Sequence, residues 1–226
     1  MKYSIILLFP FFFLSCKNDD NSNKVIPSTK KSLEQIRKKD SLESVQNEIP
    51  SNPHISKVLN IDDILVNGQK ILMSKDEFKL TYGQIDSVKV ESRECGNPFE
   101  WLDKEWMIKT YGVYDDQMGT FKNFDSRISV FYSNHASFDS NNHLYLLNTT
   151  YTDKNTVNII SKNILLTNKT SLAEFESLFP KAEKEILENS SEVRFRLFLE
   201  DGYDNSFLFY FKNDKFKYLT LWWLLC

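Results

Sequence analysis

The sequence predicts an α+β fold: two tandem helix-plus-antiparallel-sheet units behind a signal peptide and a flexible tether. Three observations predict it. A short pattern, Ser74-Lys-Asp-Glu77-Phe78 with Tyr82-Gly83, recurs as Ser171-Leu-Ala-Glu174-Phe175 with Phe179-Pro180. Runs of alternating apolar and polar residues follow each copy and are punctuated by Asn, Asp and Gly pairs. Ahead of the first copy lie an apolar leader and a long polar stretch. The expected layout is a signal peptide at 1–15, a tether at 16–57 and a globular part at 58–226. Half-repeats are expected at about 64–155 and 158–226.

The leader starts with the positive Met1-Lys2 and continues as an unbroken apolar run from Ile5 to Leu14. Polarity then switches at Lys17-Asn18-Asp19-Asp20. A charged start, a short apolar middle and a small residue at the cut describe a secretory signal. The run is about half of the ~20 residues a spanning helix needs, so a cleaved signal is expected, not a membrane helix. Phe13-Leu14-Ser15-Cys16 resembles the lipobox of bacterial lipoproteins. That resemblance implies cleavage before Cys16 and a diacylglyceryl group on its sulfur; an ordinary signal with an incidental cysteine is the alternative. Two or three acyl chains give stable anchoring, at ~0.8 kcal/mol per buried CH₂. Lys17-Asn18-Asp19-Asp20 is similar to the export signal of surface lipoproteins of Bacteroidota. The resemblance implies an outer-membrane lipoprotein, facing either outward or into the periplasm.

Residues 17–57 are rich in Asn, Ser, Lys and Glu and include Pro27, Pro50 and Pro53. From Ser32 to Glu48 a sparse stripe of Leu33, Ile36, Leu42, Val45 and Ile49 supports a marginal helix at best. Asp40-Ser41-Leu42 and Asp86-Ser87-Val88 resemble the O-glycosylation acceptor of Bacteroidota. Ser41, in the tether, is the better candidate, because Ser87 begins a strand.

In each repeated pattern the serine caps a helix and the glutamate three residues on reciprocates, a capping box. Phe78 and Tyr82, like Phe175 and Phe179, are four apart and share one helix face. Gly83 or Pro180 then stops the helix. Apolar strands precede the helices at 71–73 and 164–166. Further strands are expected at 87–92, 106–114, 127–133 and 143–151, with Asp139-Ser-Asn-Asn142 turning into the last. In the second half they fall at 192–200, 206–211 and 216–224. There Val193, Phe195 and Leu197 alternate with Arg194 and Arg196, so one face is buried and the other wet. Asp201-Gly202 and Asn213-Asp214 are hairpin turns. This order of elements resembles the tandem fold of β-lactamase-inhibitor proteins and, as a single copy, the outer-membrane assembly lipoproteins of the SmpA/OmlA type. The resemblance covers about 64–224 and carries no binding motif.

Composition narrows the function classes. The chain holds 28 Lys+Arg against 31 Asp+Glu, so no basic excess draws it to nucleic acid. Its 18 Phe, 10 Tyr and 4 Trp against 6 Gly describe a strand-prone globular chain, not a disordered one. With Cys16 assigned to lipid, Cys95 and Cys226 remain in an oxidising compartment, where they are expected to bond, with two free thiols as the alternative.

No catalytic constellation is legible. His54, His135 and His143 lack metal-ligand spacing, although the last two flank a predicted turn at 136–142. There is no Gly-rich phosphate loop and no nucleophile elbow. Asp115-Asp116 and Glu200-Asp201-Gly202-Tyr203-Asp204 read as polar turns without the ligand ladder of a calcium loop. Trp101, Trp106, Trp222 and Trp223 are core residues or a ligand platform. No catalytic residue, metal or cofactor is expected. The expected function is non-enzymatic: a lipid-anchored envelope protein that displays a protein-binding domain. The alternatives are a structural component of outer-membrane assembly and a hydrolase with an unrecognised site.

Overall fold

A computed structural model describes residues 52–93, 96–188 and 191–224. The expected signal peptide at 1–15, the lipidation site Cys16, the marginal tether helix, the glycosylation candidate Ser41 and the cysteines Cys95 and Cys226 lie outside the described residues.

A 3-10 turn at Ile61–Asp63 opens into β1 (Ile64–Val66) and β2 (Gln69–Lys70). β3 (Leu72–Ser74) feeds α1 (Lys75–Thr81), and β4 (Ser87–Ser92) follows. The short helices α2 (Phe99–Leu102) and α3 (Lys104–Tyr111) precede a small hairpin, β5 (Tyr114–Asp115) and β6 (Thr120–Phe121). β7 (Arg127–Ser133), β8 (Ala136–Ser140) and β9 (Leu144–Tyr151) form an antiparallel meander. β10 (Val157–Ile159) and β11 (Ile164–Leu166) lead to α4 (Leu172–Leu178). β12 (Glu183–Ile186), β13 (Glu192–Phe198), β14 (Ser206–Lys212) and β15 (Lys215–Trp222) complete the described strands.

These strands build two principal sheets. The larger runs β12-β13-β14-β15-β9-β8-β7-β4, with β3 also on β9. The smaller runs β11-β10-β1-β2. The expected α+β plan of two helix-plus-sheet units is therefore corrected. The described region is a β-rich sandwich, mostly antiparallel sheet, with 43% strand and 19% helix. The reason is long-range pairing. β15 pairs with β9 through Tyr218↔Tyr151, Leu219↔Thr150 and Thr220↔Thr149, so strands from both expected units share one sheet. β1 likewise pairs with β10 in the smaller sheet. Ile64, Val66, Ile159 and Leu166 of the small sheet share one apolar cluster with Phe195, Phe209 and Leu219 of the large one. Burial of that cluster, at about 25 cal/mol per Å² of apolar surface, is the main force holding the sheets together.

Both capping boxes form. Glu77 N donates to Ser74 Oγ at 3.3 Å, and Ser74 N donates to Glu77 Oε2 at 2.8 Å. Ser171 and Glu174 repeat the exchange at 3.1 and 3.3 Å. Phe78 and Phe175 are both buried.

The strand expected at 106–114 is instead mostly α3. Its Trp, Ile, Thr and Tyr favour strand locally, but tertiary burial overrides propensity. Met107 is wholly buried, and Tyr111, one turn on, packs partly against the same cluster. Gly112, at φ 89°, ends the helix in a conformation that side chains disfavour. The turn expected at 136–142 is largely β8. Its hairpin turn lies earlier, at Asn134 and His135, both at positive φ (50° and 57°). Asn142, at φ 72°, makes the next turn. Asn213 and Asp214 (52° and 59°) close the β14–β15 hairpin where the sequence placed it. Buried Asn155 locks the first of these turns: its Nδ2 donates to Asn134 O at 2.9 Å and to Thr150 Oγ1 at 2.9 Å.

Candidate protein-binding face

Strand alternation sends one side of β13, β14 and β15 into the core and the other outward. Phe195, Phe207, Phe209, Phe211, Phe216 and Leu221 point in and are buried. The outward residues then meet across strands. Arg194 on β13 lies opposite Tyr210 on β14, Tyr210 opposite Tyr218 on β15, and Tyr218 opposite Tyr151 on β9. The tyrosine rings touch in sequence: Tyr210 stacks on Tyr218 at 4.3 Å, and Tyr218 meets Tyr151 at 5.5 Å. Arg194 caps the row. Its Nη1 donates to Tyr210 Oη at 3.4 Å, its guanidinium lies over the Tyr210 ring, and it pairs with Glu185 on β12. A second band carries Arg196 over the Trp222 ring at 5.0 Å. Thr149 and Thr220 join hydroxyls at 3.2 Å between the bands.

The row is electrostatically tuned. Burial, then the neighbouring Tyr210, Glu192 and Tyr151, push the Tyr218 phenol up to about 12. Tyr218 thus stays a neutral hydroxyl donor over the ordinary pH range. Burial works against the Arg194 charge, but the hydrogen bonds to Tyr210 and Glu185 prevail and raise its pKa. The result is a surface of aromatic rings and guanidinium groups that contact one another.

A cleft of about 750 Å³ lies among Glu100, Trp101, Lys104, Tyr114, Tyr203 and Trp223. Trp101 and Trp223 meet edge to face at 5.8 Å. Burial raises the pKa of Glu100, opposed by the hydrogen bond from Thr120 Oγ1 (3.3 Å) and by the Asn97 backbone; Asn97 Nδ2 also donates to Glu100 Oε1 at 3.2 Å.

The four tryptophans therefore do not form one platform. Trp101 and Trp223 line the cleft, Trp222 lies under Arg196, and Trp106 stacks on His143 at 5.2 Å. The three histidines are also apart. His54 is buried and its Nε2 meets Val58 O at 2.7 Å. His135 faces Asp153 at one end of β8, while His143 faces Asp103 at 2.8 Å beyond the other. Asp115 caps its own turn, accepting from Gln117 N and Met118 N. Glu200 and Tyr203, read from sequence as a polar turn, line the cleft. Asn97 and Leu224, each two residues from an expected disulfide cysteine, line that cleft as well. Among the described residues no group of three or more His, Cys, Asp or Glu is placed to hold a metal, and no helix is long and apolar enough to cross a membrane.

Sequence reasoning missed the Arg194–Tyr210–Tyr218–Tyr151 row. The signal available was the outward alternation of 194, 210 and 218; the register that aligns them is not local. No protein-family model, curated protein or solved structure matches this chain.

Proposed function

We propose that this chain is a non-enzymatic, lipid-anchored protein of the outer membrane that binds a protein partner through the outer face of its large sheet. The observation that carries the reading is the row Arg194–Tyr210–Tyr218–Tyr151, flanked by Arg196 and Trp222. Tyr, Trp and Arg dominate binding energy at protein interfaces, because they bury large area with few rotatable bonds. Here they are already ordered by one another, so less entropy is lost on docking. Nothing in the row offers a nucleophile with an adjacent base, which favours binding over hydrolysis. The anchoring half of the proposal rests on Met1–Cys16 and on the lipobox resemblance.

The test compares the anchored full-length protein with Tyr218→Ala and Arg194→Ala by proximity labelling in intact cells. A neighbour labelled by the parent and lost from both variants, with anchoring and circular dichroism unchanged, supports the face. Interface hot spots cost about 2 kcal/mol or more on truncation, roughly thirtyfold in affinity. Identical neighbours for all three proteins overturn it. Cys16→Ser is expected to release the chain from membranes or leave it unprocessed. A mature N-terminus other than Cys16 by mass spectrometry overturns the anchor. Protease shaving of intact cells separates outward from periplasmic display.

A further inference from the structure

The two ends of the large sheet differ in kind. At one end, β12 is blunted by charge. Glu183 pairs with Lys57, Lys184 with Glu176, and Glu185 with Arg194. At the other end, β4 reads Ser87-Val88-Lys89-Val90-Glu91-Ser92 and is largely exposed along its length. Val88 and Val90 are 50% and 63% exposed. Among the described residues Lys89 has no ion-pair partner, and its ammonium sits over the Tyr132 ring at 5.2 Å; Glu91 meets Arg93 of its own chain at 3.2 Å and stays partly exposed, so it can also face a second charge.

Backbone direction decides what this edge offers. β4 pairs with β7 in the register Ser87↔Tyr132 to Ser92↔Arg127. Arg93 N, just beyond, donates to Ser126 O at 2.7 Å in the same register. Hydrogen-bonded pairs alternate along an antiparallel ladder, so residues 91, 89 and 87 also turn their backbone groups to β7. The N–H and C=O groups of Val88, Val90 and Ser92 therefore point away from the sheet.

We propose that β4 is a self-pairing edge that joins two copies of this chain antiparallel, with Val90 opposite the partner's Val90. In that register Val88 lies opposite the partner's Ser92, and every outward N–H and C=O of the three residues finds a partner. Lys89 then lies opposite the partner's Glu91, and Glu91 opposite the partner's Lys89. These are the non-hydrogen-bonded positions, where facing side chains come closest. Charge selects this register. A slip of two residues one way sets Lys89 against the partner's Lys89; the other way sets Glu91 against the partner's Glu91. Like charges directly opposite are destabilising. A slip of one residue places inward-turned backbone groups at the interface. A lysine on an edge strand ordinarily discourages pairing. Here the glutamate two residues on turns that guard into a code for one partner, a second copy.

Sedimentation equilibrium of the full chain in density-matched detergent tests the proposal. The parent is expected to form a concentration-dependent dimer. Lys89→Glu and Glu91→Lys should each weaken it by about tenfold or more, since each sets two like-charge pairs across the join. An equimolar mixture of the two variants, and the double variant K89E/E91K, should recover it, because opposite charges again face each other. Val90→Pro removes only an outward N–H, leaves every bond to β7, and should give a monomer. A parent that stays monomeric overturns the proposal; an edge that instead takes up an extended segment of another protein would give that result. A dimer indifferent to Val90→Pro, or a mixture that fails to re-form while the parent dimerises, overturns it equally.

Discussion

Helices α1 and α4 open with the same capping box, yet the molecule holds them differently. In α1, Phe78 stacks on Tyr145 at 4.1 Å and meets Phe138 at 5.1 Å and Tyr82 at 5.4 Å. In α4, Phe175 lies among Phe179, Phe195, Phe209 and Phe211, at 4.5 to 5.1 Å. The start of α4 is tied to the β14–β15 turn: Leu172 N donates to Asp214 Oδ1 at 3.2 Å, and Phe216 N donates to Thr170 O at 3.0 Å. Its end is tied as well, since His54 N donates to Leu178 O at 2.7 Å. The start of α1 is held through β3, where Ser74 lies opposite Leu144 on β9, and the chain after it by Ser133 Oγ, which donates to Gln84 O at 2.7 Å. Among the described residues no side chain of another element is tied to its first amide as Asp214 is to that of α4. Leu80 on α1 is 89% exposed, whereas Leu178 on α4 packs against the core. Identical local chemistry therefore starts both helices, and tertiary contacts decide how much each depends on it.

The largest expected effect is loss of a central ring. Phe175→Ala and Phe78→Ala should each cost about 3–5 kcal/mol, since both rings are buried and each meets four other aromatic rings. Urea denaturation checks this; two unchanged midpoints would break the equivalence of the helices. Smaller, and more discriminating, is the cap. Ser74→Ala should cost about 1 kcal/mol. Ser171→Ala should cost nearer 0.5 kcal/mol, because the β14–β15 turn still holds the start of α4. Equal costs would show that the tertiary ties contribute nothing to the α4 start. Smaller again is Asp214→Ala, which removes the carboxylate that accepts from Leu172 N. It should cost about 0.5–1 kcal/mol and raise the cost of a subsequent Ser171→Ala toward that of Ser74→Ala, which a double-mutant cycle reads directly.

The smallest effect is in the pH dependence. The hydrogen bonds from the Ser74 backbone and hydroxyl hold the Glu77 carboxyl below its ordinary value of 4.5. The folded state then binds that proton less readily than the unfolded chain, so the contribution is present above 4.5 and fades as pH falls through the lowered value. Glu77→Gln should flatten the stability profile on the acid side of 4.5 and leave it parallel to the parent at neutral pH. A Glu77→Gln profile parallel to the parent throughout would remove the charge from the account of the α1 box.

The parts legible in the sequence are those set by neighbours in the chain. Ser74 and Ser171 with their glutamates three residues on, the alternation of Val193, Phe195 and Leu197, and the Asn213-Asp214 turn each follow from hydrogen bonds or side-chain periods spanning a few residues. The structure reproduces each of them. Residues 104–111 lie at the boundary of that legibility. Their aromatic and β-branched content suggests a strand, and only the burial of Met107 beneath its neighbours makes a helix of them.

The tertiary structure alone decided the sheet and its surface. Tyr151 and Tyr218 are far apart in the chain and become neighbours because β9 and β15 pair. No local signal encodes that pairing, since closing a long loop is an entropic cost that only collective burial of the core offsets. The same long-range pairing merges the two expected units into a β-rich sandwich, aligns Arg194 with the tyrosine row, and leaves the outer edge of β4 without a strand neighbour among the described residues. Capping, turns and inside-outside alternation belong to the sequence because they are short-range. Register, edges and the composition of an exposed face belong to the folded molecule, because each requires strands distant in sequence to choose one another.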